Sequence, residues 1–237
     1  MRTLILLAAA ASLGACGSSS AEAGPTISRD YKVGAFDKIE VAGPFDVTVT
    51  TGGKPAVHAT GESDLIERME VVVEGGTLKI RPIKRNSMFN WNFGSHGSAK
   101  VAVSVPALSE AAIAGSGGIA IDKVGGDRFK GEIAGSGNLR LAAVDAGDIA
   151  LSIAGSGGVS AAGKAKNVTY EIAGSGDINA KELVAETARV SIAGSGNVAG
   201  NATASAAVEM LGSGNVEMVG GAKCTIDKHG SGDITCS

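Results

Sequence analysis

The 237-residue chain carries 21 basic and 24 acidic side chains. That balance excludes a nucleic-acid binder working through a basic face, so no nucleic-acid partner is expected. Aromatics make up 3% of the residues and glycine contributes 36. Such a composition is a poor supply for an ordinary two-layer core, but it suits thin layers of Ile, Val, Leu and Ala.

The chain opens on Met-Arg, an apolar run over residues 4–11, and then Ser12-Leu13-Gly14-Ala15-Cys16. A basic residue, a short apolar stretch and small residues before a cleavage point describe an export signal. The run is too short for a permanent membrane span. Leu13-Gly14-Ala15-Cys16 looks like a bacterial lipobox, which makes Cys16 the expected lipid attachment site and the membrane an expected partner through that lipid. Gly17 after the cysteine resembles lipoproteins sorted to the outer membrane, on its periplasmic or surface side. Residues 1–15 are thus read as a signal peptide and 16–27 as a lipidated cysteine with a flexible tether.

Residues 28–106 hold short alternating runs at 38–41, 46–50, 56–60, 69–73, 77–81 and 100–105. Gly43-Pro44, Gly52-Gly53 and Gly75-Gly76 punctuate them as turns. This all-β part begins the repeat architecture that follows or caps it. Within it, residues 84–98 gather the only Trp and two of the five Phe among Asn, Ser and Gly. Phe89, Trp91 and Phe93 are the candidate ligand-binding residues, because aromatic rings give contact area at low entropy cost. The competing reading folds the three rings back as a plug on one end of the repeat.

From residue 107 onward Gly-Ser-Gly recurs seven times, starting at Gly115, Gly135, Gly155, Gly174, Gly194, Gly212 and Gly230. A period near 20 residues points to a solenoid whose repeat is one turn. Two residues before the triplets stand Ile113, Ile133, Ile153, Ile172, Ile192, Met210 and Lys228, and four after stand Ile119, Leu139, Val159, Ile178, Val198, Val216 and Ile234. Polar or small residues alternate with them, which is the strand period with one buried face. Each repeat therefore reads as strand, corner, strand and a looser return over 107–237. Strands stacked about 4.8 Å apart would make a column of about 29 Å over six steps. A stack of antiparallel hairpins is the alternative, although the Asn-Gly order that marks such turns is absent. Only Gly, Asn or Asp follows the triplet, and these types tolerate positive φ, which suggests that each corner includes a left-handed turn residue.

Cys224 and Cys236 remain as an even pair once Cys16 is lipidated, and both lie on the apolar phase. In an oxidising compartment they are expected to form a disulfide that staples the last turn. Zinc competes for them poorly, since Lys228 and His229 between them complete no ligand set.

Several runs now combine: Phe36-Asp37-Lys38-Ile39-Glu40-Val41, Gly43-Pro44-Phe45-Asp46-Val47, Gly75-Gly76-Thr77-Leu78-Lys79-Ile80, Val103-Ser104-Val105-Pro106, and the Gly-Ser-Gly-Asn/Asp-Ile/Val repeats. Together they resemble the head GIN domain family of auto-transporter adhesins over about residues 28–237. The resemblance implies an exported bacterial protein, commonly a lipoprotein, with an all-β fold of stacked parallel strands. It implies no catalytic residues.

Other motifs carry little. Gly115-Ser-Gly117-Gly-Ile-Ala120 matches a loose nucleotide fingerprint but lacks the helix that must follow. The corner serines could present a row of hydroxyls, yet a corner that needs a small residue explains them better. Asp177 and Asp233 would be calcium ligands only if most corners carried Asp, and five of seven carry Gly or Asn. No cofactor or metal is expected. The leading expectation is a non-enzymatic, envelope-anchored β-solenoid lipoprotein that binds a glycan or an envelope protein. The alternative is a polysaccharide-active β-helix enzyme using Glu132, Glu171 or Asp177.

Overall fold

The computed structural model describes residues 24–83 and 99–237. Seventeen strands and one short helix follow in chain order. The first part contains β1 (Thr26–Tyr31), β2 (Lys38–Ala42), β3 (Phe45–Thr51), β4 (Ala56–Glu62), α1 (Ser63–Glu67), β5 (Met69–Glu74), β6 (Thr77–Pro82) and β7 (Ala99–Val105). The stack continues with β8 (Glu110–Gly115), β9 (Gly118–Ile121), β10 (Val124–Gly135), β11 (Asn138–Gly155), β12 (Gly158–Gly174), β13 (Asp177–Gly194) and β14 (Asn197–Gly212). It ends with β15 (Asn215–Val219), β16 (Lys223–Gly230) and β17 (Ile234–Cys236).

From β8 onward every pairing is parallel and in register, one turn upon the next. The fold is therefore the stacked-turn parallel solenoid, and the hairpin arrangement does not occur in the repeats. Buried residues in β11 run Leu139, Leu141, Val144, Ile149, Leu151, Ile153. The spacing is two within each flat side and slips where the strand bends, so one long strand wraps the core. Unequal repeat lengths are absorbed away from the Gly-Ser-Gly corner. Between β11 and β12 the register shifts from Leu141 opposite Ala161 to Val144 opposite Gly163. Gly163 takes a φ of 130° there, which a glycine adopts without the usual side-chain penalty.

The first part both continues the stack and closes it. β2 pairs in parallel with β8 on one side and β6 on the other, and β3 likewise lies between β9 and β7. An early segment thus forms a layer between two later ones. Outside that layer the pairing turns antiparallel: β5 on β6, β4 on β7 and β1 on β4. Antiparallel strands end a parallel stack because they offer the next chain no matching turn. The five-residue α1 buries Leu65 and Ile66 beside β1 and β4. At the opposite end no described strand covers the stack. β16 pairs only with β14 and β17 only with β15, so their outer edges face away from every described strand.

Inside, like stacks on like. One column runs Ile80, Val41, Ile113, Ile133, Ile153, Ile172, Ile192 and Met210, and all of these are buried. Lys228 occupies the next step of that column. Three bulky rings, Phe45, Phe129 and Tyr170, are fully buried. A β-carbon at Gly200 would come within 3.2 Å of the Tyr170 ring, so glycine makes room for it.

Candidate functional site

The corners explain the triplet. In each later repeat the serine amide donates to the carbonyl of the first glycine one turn below, at 2.8 to 3.1 Å, as Ser156 does to Gly135. From Asn138 to Asn197 the amide after the triplet donates to the second glycine below, as Asn138 does to Gly117 at 3.1 Å, whereas the Asn215 and Asp233 amides donate to the side-chain oxygens of Asn197 and Asn215, each at 3.1 Å. The backbone ladder therefore passes through the bend from Asn138 to Asn197, and in the last two corners an Asn side chain takes over that step. The first glycine of every triplet has a φ between 125° and 142°. Each corner thus includes a positive-φ residue, and it is the triplet's first glycine, not the residue after the triplet. That residue instead begins the next strand, and its side chain stacks. The Asn197 amide donates to Asp177 at 2.7 Å, and the Asn215 amide donates to Asn197 at 3.0 Å. The serines are exposed in all seven corners.

The outer columns follow the same register. On the strand leading into the corner, Glu132, Ser152, Glu171, Ser191 and Glu209 lie directly above one another. From Glu132 to Glu209 the alternation keeps carboxylates two layers apart, about 10 Å, and only the last step sets two side by side, Asp227 on Glu209. Glu132 is ion-paired to Lys130 at 2.8 Å. Asp177 lies across the corner from both Glu132 and Glu171, in the column that Asn197 joins. On the neighbouring side the Asn167 amide donates to Asp148 at 2.9 Å and Thr187 donates to Asn167 at 2.7 Å. The Asn167 bond, followed by the nearby Arg128, holds the Asp148 carboxyl below the usual carboxylate range.

A groove of about 560 Å³ crosses the bends in the return half of five successive turns. Its floor is a column of small residues, Gly126, Ala146, Ala165 and Ala185, each opposite the next. Its walls carry Asp127, Asp145, Lys164, Lys166 and Glu186, all exposed. Asp145 and Lys164 are direct cross-strand partners. None of the five belongs to the ion pairs found among the described residues. These five residues were not singled out from the sequence. Their signal is a small residue with a charge beside it in each turn, as in Gly126-Asp127, Asp145-Ala146 and Ala185-Glu186, doubled once in Lys164-Ala165-Lys166.

Of the residues expected from sequence, Cys16, Phe89, Trp91 and Phe93 lie outside the described residues. β6 and β7, which bracket residues 84–98, stack on the two strands flanking Gly43, so the chain leaves β6 and enters β7 at the corner edge. The Cys224 and Cys236 sulphurs are joined, with the α-carbons 6.6 Å apart. Among the described residues no cluster of three His, Cys, Asp or Glu side chains could hold a metal ion, and no helix is long and apolar enough to cross a membrane.

A parallel solenoid with an antiparallel cap at one end and columns of stacked side chains outside is a surface-presenting scaffold. The family model for the "Putative auto-transporter adhesin, head GIN domain" matches residues 35–222, and the chain belongs to that family. Solved structures share the fold. A putative adhesin of Bacteroides fragilis superposes with a TM-score of 0.78 at 24% identity, over 90% of this chain and 97% of that one. A putative lipid binding protein of Parabacteroides distasonis gives 0.71 at 26% identity over 90% and 97%. A putative adhesin of Parabacteroides merdae gives 0.69 at 18% identity, again over 90% and 97%. No curated protein matches the chain.

Proposed function

We propose that this protein is a non-enzymatic lipoprotein of the cell envelope, anchored through Cys16, that holds an envelope or cell-surface partner along its extended flank. The observation that carries the reading is the in-register stack itself. With backbone hydrogen bonds spent along the column, what each turn offers outward is side chains, repeated at one layer spacing over many layers. An extended, repetitive surface suits adhesion better than turnover. The family's adhesin description supports the same reading. So does the placement of the carboxylates suspected of catalysis, with Glu132 tied to Lys130 and Asp177 across a corner from Glu171.

Two measurements test it. Cys16→Ala should move the chain out of the outer-membrane fraction and abolish labelling by a clickable palmitate analogue; unchanged fractionation sinks the anchor. The full-length chain should bind purified envelope material without releasing new reducing ends. Release that disappears in Glu171→Ala would replace the reading with the polysaccharide-active enzyme.

A further inference from the structure

The groove is more specific than the rest of the surface, and the reading as a binder is what makes its chemistry worth naming. A strand cannot add inside it, because the amides and carbonyls of its floor already pair with the layers above and below. Recognition there falls to side chains. In order along the axis the layers present Asp127, then Asp145, then Lys164 together with Lys166, then Glu186. Lys164 and Lys166 are two positions apart on one strand, about 6.6 Å, and stand on opposite walls. An anionic group lying on Ala165 would be gripped from both sides. One layer away in either direction, about 4.8 Å, Asp145 and Glu186 accept hydrogen bonds and repel a second anion.

That alternation excludes whole ligand classes. A uniform polyanion would place consecutive charges against the acidic layers. A cation would meet the lysine pair at the centre. What fits is a chain carrying one anion flanked by hydroxyl groups. We infer that the groove binds an acidic glycan in which a charged sugar is flanked by neutral ones. Its carboxylate or phosphate lies between Lys164 and Lys166, and its hydroxyls donate to Asp145, Asp127 and Glu186.

The test is calorimetric titration of the full-length chain, with amide NMR shifts to locate the contact. The probes are a tetrasaccharide alternating glucuronate with N-acetylglucosamine, the neutral N-acetylglucosamine tetramer, a fully charged galacturonate tetramer, and mannose 6-phosphate. The alternating tetrasaccharide should bind and shift Ala165 and its neighbours. Lys164→Gln with Lys166→Gln should weaken it at least about tenfold, the size expected for losing a charged hydrogen bond. Both lysines are exposed, so an unchanged melting temperature shows that the variant is folded. Mannose 6-phosphate shifting the same amides in place of the glucuronate probe assigns the anion as a phosphate and upholds the site. Equal binding of the neutral tetramer, stronger binding of the galacturonate tetramer, indifference to the double substitution, or silence from all four probes overturns the inference. Silence leaves envelope attachment standing, because fractionation and whole-envelope binding are read independently of the groove.

Discussion

Gly157 sits on Gly137 so closely that a β-carbon at Gly157 would fall 2.5 Å from the Gly137 carbonyl oxygen and 2.7 Å from an Ile133 methyl. Gly157 has no positive φ, so its glycine is demanded by layer spacing alone. At Gly155 the demand is double, since its φ is 134° and a β-carbon would also meet the carbonyl of Gly135. Gly157→Ala should therefore cost about 1–3 kcal/mol by overpacking. Gly155→Ala should cost about 1–2 kcal/mol more, for the left-handed backbone. Ser156→Ala, on an exposed edge, should stay within about 0.5 kcal/mol. Denaturant melts of the three variants check the order. A costly Ser156→Ala would mean that the hydroxyl row has a structural role.

The Tyr170 hydroxyl is buried without a hydrogen-bond partner. Burial raises its pKa above the ordinary value. Tyr170→Phe should stabilise the protein by about 1–3 kcal/mol, because the unpaired group's desolvation is relieved. The pH dependence has a definite sign. Below the unfolded tyrosine pKa, about 10, both states hold the proton and folding is unaffected. Above it the unfolded chain releases the proton while the folded one keeps it, so stability falls as pH rises. The slope is about 1.4 kcal/mol per pH unit for one group. Melting curves between pH 9 and 11 should show this decline in the wild type and less of it in Tyr170→Phe.

The cystine closes only 12 residues, at the end of a column whose turns contact only their neighbours. Replacing Cys224 and Cys236 by Ser should cost about 3 kcal/mol by loop entropy. The loss should be local. Hydrogen exchange should quicken in β16 and β17 and stay slow in β11 to β13. Uniform quickening would show that this turn caps the whole column.

Much of this arrangement is legible in the chain, and the exceptions have physical causes. Alternation around each Gly-Ser-Gly shows strands, corners and the buried face, because period and phase are local properties. Pairing partners are not local. Nothing in residues 38–51 says that β2 and β3 form a layer between β6/β7 and β8/β9. The residue after the triplet misleads because Gly, Asn and Asp share two traits, tolerance of positive φ and small size with a stackable polar group. In Asn197 and Asn215 the second trait decides. The groove lies in the return half of the repeat, where the buried phase slips at each bend and hides the Lys164-Ala165-Lys166 pattern from any fixed period. The helix α1 escapes for a simpler reason, since five residues carry too little of a 3.6 period to detect.

Lys228 ends a column of Ile, Val and Met that is otherwise unbroken, and its Nζ donates to the Gly232 carbonyl at 2.7 Å. The charge stands where a further layer would lay its own apolar residue. Beside it Ile226, which follows the buried Val190 and Val208, is 47% exposed. An open parallel edge with apolar residues in phase is a template for another chain, and an inward-pointing charge is a known guard against that. Lys228→Ile should remove the guard. Burying Ile226 and the new side chain in an end-to-end contact would contribute about 3 kcal/mol at least. That is roughly a hundredfold in the dissociation constant of a dimer. Sedimentation velocity across a concentration series should show dimers or longer assemblies for Lys228→Ile and fewer for the wild type. Addition of Ile226→Lys, at the exposed neighbouring position of the same layer, should reverse the assembly. If Lys228→Ile sediments like the wild type at every concentration, the end is protected by something other than this lysine, and the exposed edges of β16 and β17 become the next residues to change.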